Sequence, residues 1–199
     1  MSRRRYLLLM ILMVFAISFS NVMAEDTNKK PCTKFFAPFN EPERHKYLSI
    51  VNRCFSEYGE YRSSTIKGHK HAGIDLRGKL SENVYPIGVG KVYGILWGFP
   101  NLAIAIIHPL SNGDYVYSLY IHIENIQVKV GDWVDENTVI AKLFNPEEFK
   151  KSQFQTVHLH LEIRKSMEDE GRASYTSMTM NDLNRYCMNP KEFLRKQLE

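Results

Sequence analysis

The chain has 199 residues, 44% hydrophobic and 12% aromatic, enough for one domain with a real core, and this composition excludes a disordered polymer. Its formal charge is +4, but the first 24 residues hold three arginines and no acid. Without them the charge falls to +1, which removes the electrostatic case for a nucleic-acid partner.

Those residues form the first predicted element. Arg3, Arg4 and Arg5 precede an apolar run from Leu7 to Phe19, and Val22-Met23-Ala24 stands before Glu25-Asp26. A basic start, a short apolar stretch and small residues three and one positions before the cut describe a signal peptide over 1–24. The run is shorter than the roughly 18–20 residues that span a bilayer, so an uncleaved anchor is the weaker alternative. Export to the periplasm or the cell exterior is therefore expected, with no stable membrane span after cleavage. Cys32, Cys54 and Cys187 allow one disulfide and one odd thiol in an oxidising compartment, or three packed thiols.

Residues 25–60 read as a linker and an amphipathic helix. Asn40-Glu41-Pro42-Glu43 has a cap, a first-turn proline and a glutamate at the third helical position. Tyr47, Leu48, Val51, Cys54, Phe55 and Tyr58 then recur at helical spacing until Gly59. From Lys67 the pattern changes to strands, over Lys91–Leu96, Leu102–His108, Tyr115–His122, Val139–Phe144 and Val157–Ile163. Gly98-Phe99-Pro100-Asn101, Ser111-Asn112-Gly113-Asp114 and Gly131-Asp132 separate them as turns. With no helical pattern between them, they predict an antiparallel sheet or barrel. Asn189-Pro190-Lys191-Glu192 opens a short final helix.

Four of the seven histidines fall in three phrases: His71-Ala72-Gly73-Ile74-Asp75, Tyr120-Ile121-His122 and His158-Leu159-His160-Leu161-Glu162. Strand side chains alternate, so His158, His160 and Glu162 share one face while Leu159 and Leu161 share the other. His71 and Asp75, four apart, share a face in an extended chain and in a helix. Gly73, Gly78 and the lack of any H-E-x-x-H string favour strand or loop. Three imidazole or carboxylate groups converging on one point, with a fourth position left to water, is what a catalytic zinc requires.

H-x-G-x-D, Y-x-H and H-L-H-x-E, in that order, resemble the lysostaphin-type (LytM-like) zinc endopeptidases of bacterial cell walls, across residues 60–165. Pro86–Val92 and Val130–Val134 resemble further segments of that family. The resemblance implies a mainly β fold of the duplicated hybrid-motif type, an antiparallel sheet or half-barrel with flanking N-terminal and C-terminal helices. It implies a peptidase domain over 61–165, followed by an extension over 166–199. It also implies one Zn2+ per chain held by His71, Asp75 and His160, with His122 and His158 as the catalytic pair. One of that pair would take a proton from water and the other would hydrogen-bond the oxyanion; the resemblance does not divide the roles. The implied substrate is the cross-links or stem peptides of peptidoglycan, cut by a monomer associated with the cell wall. Some relatives have lost ligands and only activate other wall hydrolases. A catalytically silent wall-binding activator is thus the alternative, and the presence of all five residues argues against it.

The sequence departs from the family in one loop. Asn145–Thr156, just before His158, has no glycine and can start a short helix, which puts substrate preference in question. His69 is read as a solvated basic residue, His108 as structural and Tyr120 as core. Glu162 is left open between orienting a histidine and satisfying a sheet edge. Val128–Val134 also resembles the hairpins of biotin and lipoyl carriers, but the following turn, Asp135-Glu136-Asn137, offers no lysine to modify.

Overall fold

A computed structural model of the protein describes residues 31–63 and 68–199; the predicted signal peptide and the start of the linker lie outside them. Helix α1 (Tyr47–Arg53) is followed by β1 (Cys54–Ser56), β2 (Tyr61–Arg62), β3 (His69–Lys70), β4 (Ile74–Arg77) and β5 (Asn83–Val84). The long strands are β6 (Gly90–Leu96), β7 (Ala103–Pro109) and β8 (Tyr115–Ile121), then come the short β9 (Ile123–Glu124), β10 (Trp133–Val134) and β11 (Ala141–Leu143). Helix α2 (Pro146–Ser152) leads into β12 (His158–Arg164). The chain closes with α3 (Ala173–Thr176), α4 (Met180–Tyr186), β13 (Cys187–Met188) and α5 (Pro190–Leu198).

The main sheet has the order β1-β4-β12-β8-β7-β6-β10, with β13 also on β12; β5-β11-β9 form a second sheet and β2-β3 a ribbon. The pairings are antiparallel, so the fold is mainly β with flanking helices, as the pattern of runs and turns predicted. Leu159, Leu161 and Ile163 of β12, with Ile104, Ile106 and Tyr120, face a core shared with Val84, Ala141 and Leu143 of the second sheet. Phe35, Phe39, Ile50 and Leu194 close that core from the two ends of the chain. On the other face of β7 and β8, Ala103, Ala105, Tyr117, Leu119 and Ile121 pack with Met167. The β12 residues pointing that way are His158, His160, Glu162 and Arg164.

Two expectations shift. The N-terminal helix starts at Tyr47 after a series of turns and ends at Arg53, not at Gly59. Cys54–Ser56 leaves the helix because it pairs with Leu76 and Asp75 of β4, a tertiary demand that overrides helical spacing. The three cysteines are free; Cys32 and Cys187 are buried in separate parts of the fold, so the packed-thiol alternative holds. By contrast, Asn189 caps α5 as read, accepting hydrogen bonds from Lys191 and Glu192. The extension braces the N-terminal region through α5, where Phe193 packs edge-on to Phe35 and Lys191 pairs with Glu57. Among the described residues no helix is long and apolar enough to cross a membrane.

His108 is structural, as expected. It is fully buried, donates from Nδ1 to the Val89 carbonyl (2.9 Å) and meets Ser118 Oγ through Nε2 (2.7 Å). Burial pushes its imidazole down to about 4 from an ordinary 6.5, so the folded protein holds it neutral. The unfolded ring takes up its proton first, so this stability is full above pH 6.5 and is lost as pH falls towards 4. Urea unfolding at pH 7 and pH 4 should show His108→Gln losing roughly 3 kcal/mol less than wild type over that interval.

Candidate active site

The pairing of β4 with β12 sets the site. Asp75 lies opposite His160, and Arg77 lies opposite His158. Opposed residues on an antiparallel pair project to the same face, so one rung carries a carboxylate and an imidazole and the next carries two basic groups. His71 reaches the first rung from the turn before β4. Gly73, between them, admits the close approach: a Cβ there would sit 2.3 Å from the Leu161 carbonyl oxygen. A side chain at this position would force the His71 turn off β12.

Three donor atoms converge. His71 Nε2 lies 3.1 Å from Asp75 Oδ1 and 2.9 Å from His160 Nδ1, and His160 Nδ1 lies 3.0 Å from Asp75 Oδ1. All three residues are buried and form the metal-ligand grouping found among the described residues. Zinc bonds of about 2.0–2.1 Å at tetrahedral angles would space such donors about 3.3 Å apart, so the cluster fits a small ion with slight opening. Two imidazoles and one carboxylate also form a donor set typical of catalytic zinc. Burial opposes ionisation of Asp75, but its close contacts with the His160 and His71 rings hold its carboxyl well below the usual range. Burial likewise opposes a charged His160, yet its bonds to Asp75 and Glu162 raise its affinity for a proton, which an ion held at Nδ1 would displace.

Each donor atom is aimed by a partner behind it. His71 donates from Nδ1 to the Glu57 carbonyl (2.7 Å), which leaves Nε2 to the cluster. His160 donates from Nε2 to Glu162 Oε1 (3.0 Å), which leaves Nδ1 to the cluster. The Arg62 guanidinium holds Asp75 Oδ2, so that Oδ1 alone faces inward. Glu162 is therefore an orienting residue and not a sheet-edge acceptor. It is fully buried, and it accepts from Ser174 Oγ and from Arg164, which in turn pairs with Asp169. Burial raises the Glu162 carboxyl, but Arg164 and then His160 hold it down to about 2.

His122 and His158 stand beside this cluster, with ring centroids 4.8 Å apart and His122 6.1 Å from His160. His122 donates from Nδ1 to the Pro100 carbonyl (3.0 Å) and His158 to the Thr156 carbonyl (2.8 Å), so each keeps an unprotonated Nε2. Burial, then the neighbouring His158 and His160, pushes His122 down to about 3; burial also lowers His158. His122 sits at the break between β8 and β9 with φ 66°, a left-handed backbone uncommon for a residue with a side chain and often found at functional positions.

The glycine-free loop becomes α2, with a capping box between Asn145 and Glu148. It delivers Phe154, whose ring packs edge-on to His122 at 4.6 Å and stacks on Phe144 at 6.1 Å. Phe55 flanks His158 on another side at 5.7 Å. Tyr120 points away, fully buried, with its hydroxyl accepting from the Ile87 amide (2.8 Å). His69 requires correction: it is buried, not solvated, because β3 pairs with β2 and packs against α3. Sequence reasoning missed Glu57, Arg62, Arg164, Asp169 and Ser174. Only Arg164 left a signal, its strand parity with Glu162.

An antiparallel sheet carrying a His–Asp–His cluster, with two further histidines beside it, defines a lysostaphin-type fold with a site suited to one metal ion. The chain belongs to peptidase family M23, whose profile matches residues 69–174. Among solved structures, the catalytic domain of the antimicrobial peptidase lysostaphin from Staphylococcus simulans is 21% identical, with a TM-score of 0.52. The match covers 76% of this chain and 98% of that domain. Whole lysostaphin from the same organism is 20% identical at a TM-score of 0.53, over 81% of this chain and 54% of that one. The chain thus spans about half the length of the whole lysostaphin chains it matches, and the likeness establishes the fold. Among curated protein sequences there is no match.

The buried network behind His160 makes a stability prediction. Arg164→Met would leave Asp169 without its guanidinium and Glu162 with His160 in place of two basic partners. Urea unfolding should show a loss of about 3–5 kcal/mol, and a loss under about 1 kcal/mol would refute the pairing.

Proposed function

We propose that the protein is a zinc-dependent endopeptidase that hydrolyses cross-links or stem peptides of bacterial peptidoglycan. The observation that carries this reading is the convergence of His71 Nε2, Asp75 Oδ1 and His160 Nδ1 within 2.9–3.1 Å of one another. Family membership supports the peptidase chemistry, and the lysostaphin fold supports a wall substrate. The leader-like residues 1–24 support delivery to the envelope.

His71, Asp75 and His160 would hold the ion. Zinc bound there supplies a Lewis acid that acidifies water and polarises a scissile carbonyl. The protein's own part is proton handling and positioning. His122 and His158 each present a bare Nε2, and a neutral imidazole held this way can accept a proton from an attacking water. The same ring, once protonated, becomes a hydrogen-bond donor to the developing oxyanion or to the leaving amine. Two such rings side by side can serve both needs in one turnover. Retention of both rings, each anchored to a carbonyl, disfavours a silent wall-binding activator, which needs neither.

Three variants separate the roles. His160→Ala should lose zinc and activity together. His122→Ala should keep its zinc and lose about 10²–10⁴-fold in turnover, as for removal of a general acid–base group. Glu162→Gln should weaken zinc binding about 10–100-fold in chelator competition, because a metal-ligating histidine depends on its second hydrogen bond. The decisive readout is mass spectrometry of fragments released from purified sacculi. Identical fragments from wild type and His160→Ala would overturn the proposal.

A further inference from the structure

We propose that Arg77 is the carboxylate-binding residue of the groove and selects peptides bearing a free carboxylate about two residues from the bond that is cut; this rests on the peptidase reading above. Four observations carry it. Arg77 lies directly opposite His158, one rung along from the Asp75–His160 pair, so its side chain leaves the sheet on the site's own face. It is exposed at the end of β4, while the three residues before it are buried. Its guanidinium lies over the Phe55 ring, 4.6 Å from the centroid, and the same ring packs edge-on to His158. Phe55 therefore holds the cation beside a proposed catalytic histidine.

The fourth observation is the absence of a competing charge. Among the described residues no carboxylate pairs with Arg77. The nearby acids Glu41 and Glu82 are both taken by Arg53, which also donates to the Arg77 carbonyl (3.0 Å). The other arginine at the site, Arg62, is committed to Asp75. Arg77 is thus a guanidinium that is oriented and yet unneutralised, and its planar fork suits a carboxylate. Two residues of strand span about 7 Å, so an extended substrate with its scissile carbonyl at the His–Asp–His cluster would bring a group roughly two residues away to Arg77. Peptidoglycan stem peptides carry free carboxylates at such distances, whereas a bridge built of glycine alone has none.

The test compares a cross-linked muropeptide dimer with free carboxylates against the same dimer amidated. Affinities are read by calorimetry on zinc-loaded His122→Ala protein, in which turnover is slowed, with and without Arg77→Gln. The free form should bind about tenfold tighter than the amidated form, a preference of the size expected for one charge-assisted pair. Arg77→Gln should abolish that preference and leave affinity for the amidated form unchanged, while Arg77→Lys should keep part of it. Equal affinity for both dimers, a preference that survives Arg77→Gln, or binding of neither dimer would overturn the proposal. Zinc content and dimer cleavage by wild type read the peptidase assignment separately. A preference without cleavage would overturn that assignment and keep Arg77 as a carboxylate site; cleavage without preference would do the reverse.

Discussion

The in-register pairing of β4 with β12 is the constraint on which the site depends. It sets Asp75 against His160 and Arg77 against His158, and it sends the leucines between them into the core. A slip of one residue would exchange those faces, burying imidazoles and exposing Leu159 and Leu161. Burial of the apolar row therefore fixes the chemistry of the polar row. Gly73 guards the same register from the other side, since only a residue without a Cβ lets the His71 turn approach the β12 backbone.

A second regularity runs through the four histidines. Each spends one ring nitrogen on a fixed oxygen and offers the other to the groove. For His71, His122 and His158 that oxygen is a backbone carbonyl, of Glu57, Pro100 and Thr156. For His160 it is a buried carboxylate, itself clamped by Arg164 and Ser174. Tautomers are thereby chosen by the scaffold in advance, and preorganisation of this kind is where much of an enzyme's electrostatic advantage resides. The aromatic rings of Phe55 and Phe154 pack against His158 and His122 and limit their contact with water.

The strands, and the grouping of His71, Asp75, His122, His158 and His160, were legible because alternation and motif order are properties of the side chains themselves. The capping signal at Asn189 was legible for the same reason. Features that depend on the backbone or on distant pairing were not. Glu57, Pro100 and Thr156 act through carbonyls that every residue owns, so nothing in their identity marks them. Cys54–Ser56 carries helical spacing and is nonetheless drawn into the sheet by β4. His69 looks solvated in a basic stretch, but the β2–β3 ribbon and α3 cover it. Arg62 and Ser174 meet the cluster only because the fold returns them to it.

The carbonyl of Glu57 and the guanidinium of Arg62 both precede residue 69, where the match to the family begins, and Cys187, which touches Arg164, lies beyond its end at 174. The stretch matched by the family is therefore shorter than the stretch that builds the site. A graft of 69–174 into another scaffold would carry all five site side chains and leave behind the oxygen that selects the tautomer of His71. The family match contains the converging side chains, while segments at its margins determine which way those side chains point.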